Sequence, residues 1–144
     1  MRISTRLEYG LRALIDLALR ADREPVQSRD IAARQHIPEP YLNQLLTSLR
    51  KAGLIVSRRG PGGGHLLARP PQEITLAEVV EALEGALLGV TSEEPGAAPA
   101  PPATAEALHD LWTRVAQATR GVLETTTLAD LAARARQRAY TYYI

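Results

Sequence analysis

The chain contains no cysteine and no phenylalanine, and only one Met and one Trp in 144 residues. Without cysteine there is no disulfide, no thiol nucleophile and no thiolate-held cluster. Long apolar runs are also missing. No segment reaches the ~18 consecutive apolar residues of a membrane helix, and Met1-Arg2-Ile3-Ser4-Thr5-Arg6 has no apolar signal core. The expectation is a soluble, cytoplasmic protein. A nucleophile–base pair, a metal motif and a phosphate loop are all lacking, so no enzyme is expected. The glycine run at residues 60–64 leads into Gly-His-Leu, not the Gly-Lys-Ser/Thr that opens a phosphate-binding helix.

What is present points elsewhere. The length suits one domain with a real core. A net charge of +1 hides an asymmetry. Residues 1–70 carry 12 Lys/Arg against 6 Asp/Glu, whereas residues 71–144 carry 5 against 10. A basic half and an acidic half suggest a polyanion-binding front and a separate back.

Thr5-Arg6-Leu7-Glu8 fits a capping box, and Leu7, Leu11, Leu14 and Ala18 continue it at helical spacing to about Ala21. Asp22 to Pro25 reads as a turn. Ser28 suits the cap of a short second helix, which His36-Ile37-Pro38 ends. Pro38 and Pro40 fit only a first helical turn, so a third helix starts there. Its stripe is Leu42, Leu45, Leu46 and Leu49, with Gly53 at its C-cap. Leu54-Ile55-Val56 and His65-Leu66-Leu67 read as two strands joined by Arg58-Arg59-Gly60-Pro61-Gly62-Gly63-Gly64. Thr75-Leu76-Ala77-Glu78 is a second capping box, opening a helix with Leu76, Val79, Val80 and Leu83. Residues 92–103 are acidic and proline-rich, the composition of a mobile loop. A long helix then aligns Leu108, Leu111, Trp112, Val115, Thr119, Val122 and Leu123. Thr127-Leu128-Ala129-Asp130 caps a last short helix, and a packed tyrosine tail ends the chain.

The order helix, helix, tight turn, helix, hairpin is a winged helix-turn-helix. The expected fold is mainly α with a small β-hairpin wing, followed by a long C-terminal helix. Residues 1–72 form the DNA-binding domain and 73–144 a helical sensing and dimerisation region. An α-helix fits the major groove, where Asn or Gln pairs with adenine and a carboxylate accepts from cytosine. The expected DNA contacts are Ser28, then Glu39, Pro40, Tyr41, Asn43, Gln44, Thr47 and Arg50 on the third helix. The wing adds Arg58, Arg59, Gly60, Pro61, Gly62 and Gly63, with Arg59 at the minor groove and Arg58 at phosphate. An alternative use of the same fold is a protein–protein interaction module with weak DNA binding, working through the acidic fourth helix and the 92–103 loop.

These residues resemble a known family. Ile3-Ser4-Thr5, Tyr9-Gly10, Tyr41-Leu42, Leu49 to Leu54 and Arg59 to Gly64 are similar to the Rrf-type bacterial transcription regulators. That family includes the iron–sulfur assembly regulator, the nitric-oxide-sensing repressor and the cysteine-metabolism repressor. Leu111-Trp112, Thr126 to Leu131 and the Tyr-Tyr-Ile tail extend the resemblance over nearly the whole chain. It implies a homodimer on a palindromic operator, with the long helix as the dimer contact through the seven residues aligned above. It also implies a regulator, read as a repressor, acting on double-stranded DNA.

Cluster-bearing members place three cysteines at about residues 89–106, and this chain has none. The closer likeness is to the cluster-free cysteine-metabolism branch, which implies control by an effector metabolite or a partner enzyme of cysteine synthesis. Glu8, Glu106 and His109 match ligand positions of other members, and Glu106 and His109 stand i, i+3 on a helix. Glu8 has a capping role instead, and the other two read as surface groups. No cofactor and no metal are expected.

Overall fold

The structure, a computed structural model, describes residues 3–20, 24–85 and 98–142. It contains helix α1 (Thr5–Leu19), α2 (Ser28–Gln35) and α3 (Glu39–Lys51), strands β1 (Ile55–Arg58) and β2 (Gly64–Leu67), then α4 (Leu76–Glu84), α5 (Pro102–Thr125) and α6 (Leu128–Tyr142). A single 3-10 turn, Pro71–Glu73, joins β2 to α4. Among the described residues no helix is long and apolar enough to cross a membrane.

The caps of the first two helices lie one residue before the expected ones. Ser4 caps α1 in place of Thr5, its hydroxyl accepting from Leu7 N at 3.0 Å. A hydroxyl at either position could cap, and the register of the Leu7, Leu14 and Leu17 stripe selects Ser4. Glu8 is thereby released from the cap and pairs with Arg12 at 3.3 Å. Gln27 occupies the cap position of α2 without a side-chain bond, and Ser28 is its first helical residue. The expected Ser28 cap is therefore absent. The Thr75–Glu78 capping box is fully formed, with Glu78 N to Thr75 Oγ1 at 3.2 Å and Thr75 N to Glu78 Oε2 at 3.1 Å.

The core lies between α1, α3, α4 and the start of α6. Leu7, Leu14, Leu42, Leu45, Leu49, Ile55, Ile74, Val79 and Leu128 are fully buried there. The turn between α2 and α3 is anchored by Ile37, whose N–H donates to Ala32 O at 3.0 Å. His36 takes a left-handed conformation (φ 56°) to make that turn. At the far end of α3, Leu54 N bonds Leu49 O and Gly53 N bonds Arg50 O, both at 3.0 Å. This closure is a Schellman motif, which sends the chain straight into β1.

The C-terminal half departs from expectation at two places. Residues 92–97 of the expected loop lie outside the described residues, but Pro102 and Ala103 already belong to α5. Proline at a first helical position costs nothing, because that N–H has no partner anyway. The final helix is not short. It runs 15 residues, since Ala, Arg and Gln are strong helix formers. Tyr140 is 72% exposed on it and does not pack within one chain, whereas the Tyr142 side chain, Tyr143 and Ile144 of the expected tail lie outside the described residues.

Within the C-terminal region, the starts of α4 and α6 meet at one backbone rung. Leu76 N donates to Thr126 O at 2.9 Å and Leu128 N to Ile74 O at 3.0 Å, pairing Thr75 with Thr127. Thr127 caps α6 as Thr75 caps α4: Asp130 N reaches Thr127 Oγ1 at 3.2 Å and Thr127 N reaches Asp130 Oδ2 at 2.9 Å. Two capped helix starts thus stand side by side.

Candidate nucleic-acid interface

Burial of Leu42, Leu45, Leu46 and Leu49 fixes the rotation of α3. Asn43, Gln44 and Arg50 are consequently exposed and Thr47 half-exposed, on the opposite face. Glu39 and Pro40 are exposed at its start. Pro38 provides no side-chain cap, so the positive end of the helix dipole is left open to an anion. Tyr41 is half-buried. Its ring meets Tyr9 edge-on with centroids 5.6 Å apart, and Arg12 lies 5.1 Å over the Tyr9 ring. Much of the Tyr41 ring is therefore committed to packing. Arg6 braces α3 from behind, donating to Ser48 Oγ at 2.8 Å and to Leu83 O at 3.0 Å.

The wing is an antiparallel pair with Ile55 opposite Leu67, Val56 opposite Leu66, Ser57 opposite His65 and Arg58 opposite Gly64. Its tip, Arg59 to Gly63, is a tight turn. Gly63 N donates to Gly60 O at 2.9 Å, Pro61 is the first corner residue and Gly62 the second, with φ 77°. That is a type II turn, which requires the positive φ at Gly62. Arg59 is exposed beside it.

A backbone bridge onto the wing escaped the sequence. Val26 exchanges two backbone bonds with His65, at 3.0 and 2.8 Å. A Cβ on Gly64 would stand 2.6 Å from the Val26 backbone. Gly62 and Gly64 thus have a backbone reason to be glycine, independent of any approach to DNA. His65 Nδ1 lies 2.7 Å from Ser57 Oγ. Burial first, and then the charge of Arg50, lower the His65 pKa. The C-terminal end of α3 and this face of the wing are therefore neighbours.

A second feature unseen in the sequence holds α2 onto α1. Asp16 is fully buried in α1. Arg34 grips it two-pronged at 3.0 and 2.9 Å, while Arg20 and Gln35 donate at 3.2 and 3.1 Å. The hydrogen bond to Asp16 is the main reason the Arg34 pKa is raised. The only signal was one carboxylate inside the apolar run Leu14-Ile15-Asp16-Leu17-Ala18-Leu19.

The 24-residue α5 has no buried residue. Leu108 and Leu111 are 43% exposed and Val122 63%, while Trp112, Val115, Thr119 and Leu123 are half-buried. The seven residues expected to dimerise do share a face, and much of it is uncovered.

Residues 3–134 match the family model Rrf2, described as an iron-dependent transcriptional regulator. The chain belongs to the Rrf2 family. The HTH-type transcriptional regulator CymR of Bacillus subtilis is 38% identical over a 149-residue alignment covering all of both chains. Its solved structure, described as that of the global cysteine regulator of B. subtilis, superposes with a TM-score of 0.80 at 37% identity, over 93% of this chain and 98% of that one. IscR of T. potens gives 0.72 at 33% identity, over 99% and 97%. The chain is a DNA-binding transcription regulator with the winged-helix fold of those relatives, and its family is not one of enzymes.

The residues present do not fit an iron–sulfur cluster. The sequence supplies no thiolate. Glu8 is bound to Arg12, and Glu106 and His109 are exposed at the start of α5. Among the described residues no three His, Asp or Glu gather as a metal site.

Proposed function

We propose that this regulator works as a homodimer, paired along α5, that represses transcription from an inverted-repeat operator without an iron–sulfur cluster. The observation that carries the reading is the uncovered apolar stripe of α5. A 24-residue helix presenting Leu108, Leu111, Trp112, Val115, Thr119, Val122 and Leu123 on one side is incomplete as a monomer. Twofold pairing along it sets two α3 helices on two half-sites, about 34 Å apart on one face of the duplex.

In this reading residues 1–72 are the reading head and 73–144 the pairing and sensing region. Asn43, Gln44 and Thr47 meet base edges, Glu39, Pro40 and Tyr41 border them, and Ser28 and Arg50 flank on the backbone side. Arg59 enters the minor groove from the wing, with Arg58 and residues 60–63 beside it. CymR is named a cysteine regulator, and full-length similarity to it makes a metabolite or enzyme of cysteine metabolism the first signal to test.

Selection from a random duplex pool at low salt tests the proposal. Enrichment of an inverted repeat with half-site centres one helical turn apart is expected. With about six phosphates neutralised per dimer, the log–log salt slope is expected near −5. A pool with no enriched duplex would sink the reading in favour of an interaction module.

A further inference from the structure

A cleft of about 1050 Å³ opens between the root of the wing and α6, away from α3. Strand alternation explains its chemistry. Ser57 and His65 form one cross-strand pair, on the face that carries the buried Ile55. Val56, Leu66 and Arg58 therefore lie on the other face of the hairpin. Arg58 and Leu66 line the cleft there. From the opposite wall α6 contributes Ala129, Ala132 and Arg136, spaced to lie on one side of a helix. The two alanines keep that wall recessed, and Arg136 stands above them. Arg69 enters from the segment after β2, held by Glu78 Oε2 at 2.9 Å and Glu73 O at 3.2 Å.

Among the described residues, the cleft is lined by three arginines and one acidic residue, Glu24, and only Arg69 of the three is paired, with Glu78. Among the described residues neither Arg58 nor Arg136 has a carboxylate within 4.0 Å. Guanidinium forks match carboxylate and phosphate oxygens, and recesses of this size hold small molecules.

We propose that this cleft is an effector site for a small organic or inorganic anion bearing at least two carboxylate or phosphate groups. Such an anion bridges Arg58, the last residue of β1, to Arg136 of α6. Bound there, it ties the wing root to the C-terminal helix and cancels positive charge beside the tip, which lowers affinity for duplex. The regulatory half of the proposal rests on the DNA-binding reading, whereas anion binding does not.

Titration calorimetry of the full chain at constant ionic strength tests it, with citrate for the carboxylate source and pyrophosphate for the phosphate source. One site per chain with a dissociation constant below about 1 mM is expected for at least one of them. Arg136→Gln should weaken it about tenfold, by loss of a charge-assisted contact. Ala129→Leu, which fills the wall, should weaken it as well. Both variants should keep the wild-type circular dichroism melt and the wild-type affinity for duplex without anion. Saturating anion should lower wild-type duplex affinity at least about threefold and leave Arg136→Gln unmoved. The site is overturned if neither anion saturates, or if both variants bind like wild type. The coupling is overturned if the anion binds and duplex affinity does not change. Failure of DNA binding itself would show in the duplex arm alone.

Discussion

The guanidinium of Arg34 donates two hydrogen bonds to the buried carboxylate of Asp16, with Nε 3.0 Å from Oδ1 and Nη2 2.9 Å from Oδ2. Eighteen residues separate them, so the pair is what fastens α2, the first helix of the helix-turn-helix, to α1. Asp16→Asn is expected to destabilise the fold by roughly 2–4 kcal/mol, because amide hydrogens would then face arginine donors. The lower end is favoured, since the Arg34 and Arg20 side chains are 35% and 30% exposed and can turn to water. Urea unfolding measures it; a wild-type midpoint would show that the cluster does not hold α2.

Arg59 is the exposed charge of the wing tip. Arg59→Ala is expected to cost about 1–3 kcal/mol in operator binding and to relax preference at the wing-contacted step. Fluorescence anisotropy at fixed salt measures both, and equal affinity for the variant would remove the wing from the interface.

Leu111 sits midway along the uncovered stripe of α5 at 43% exposure. Leu111→Glu places a charge where pairing would bury it. Sedimentation should show a monomer with an unchanged helical spectrum, because within one chain this position packs on little. A dimer that survives the change would move the interface off α5.

His65 adds a pH dependence. Burial and Arg50 hold its pKa below the ordinary imidazole value, so the folded wing disfavours the protonated ring. The unfolded chain takes up that proton first as pH falls through about 6.5. Stability is therefore whole above that pH and declines from there toward the lowered folded pKa, where the loss levels off. Thermal melts between pH 7.5 and 5 should follow this course, and His65→Asn should flatten it. Parallel profiles for the two proteins would rule His65 out.

The parts of the fold legible in sequence were those encoded by neighbours along the chain. The leucine stripe of α3, the Thr75–Glu78 box and the Arg-Gly run each announce their structure within a few residues. Where two adjacent residues offered the same chemistry, as Ser4 and Thr5 did, the pattern could not choose between them. Pairings across the chain left no trace. Val26 joins the sheet through its backbone alone, which no side-chain pattern reports. Asp16 shows little of its role in the sequence, because its two-pronged partner Arg34 comes from another helix. For the same reason the α3 face could be read directly, while the cleft became visible only when α6 was folded back beside the wing.

The rung between Thr75 and Thr127 governs how such a regulator can measure DNA. α4 and α6 both spring from it, so the helix that packs on α1 and α3 shares one pair of backbone bonds with the end of the long helix. In the dimer proposed above, two such units paired along α5 would act as calipers whose jaws are set by that joint. One base pair inserted between half-sites turns one of them by about 34–36° around the duplex axis. Jaws set in this way would not follow that rotation, so the proposed dimer is expected to read operator spacing as well as operator sequence.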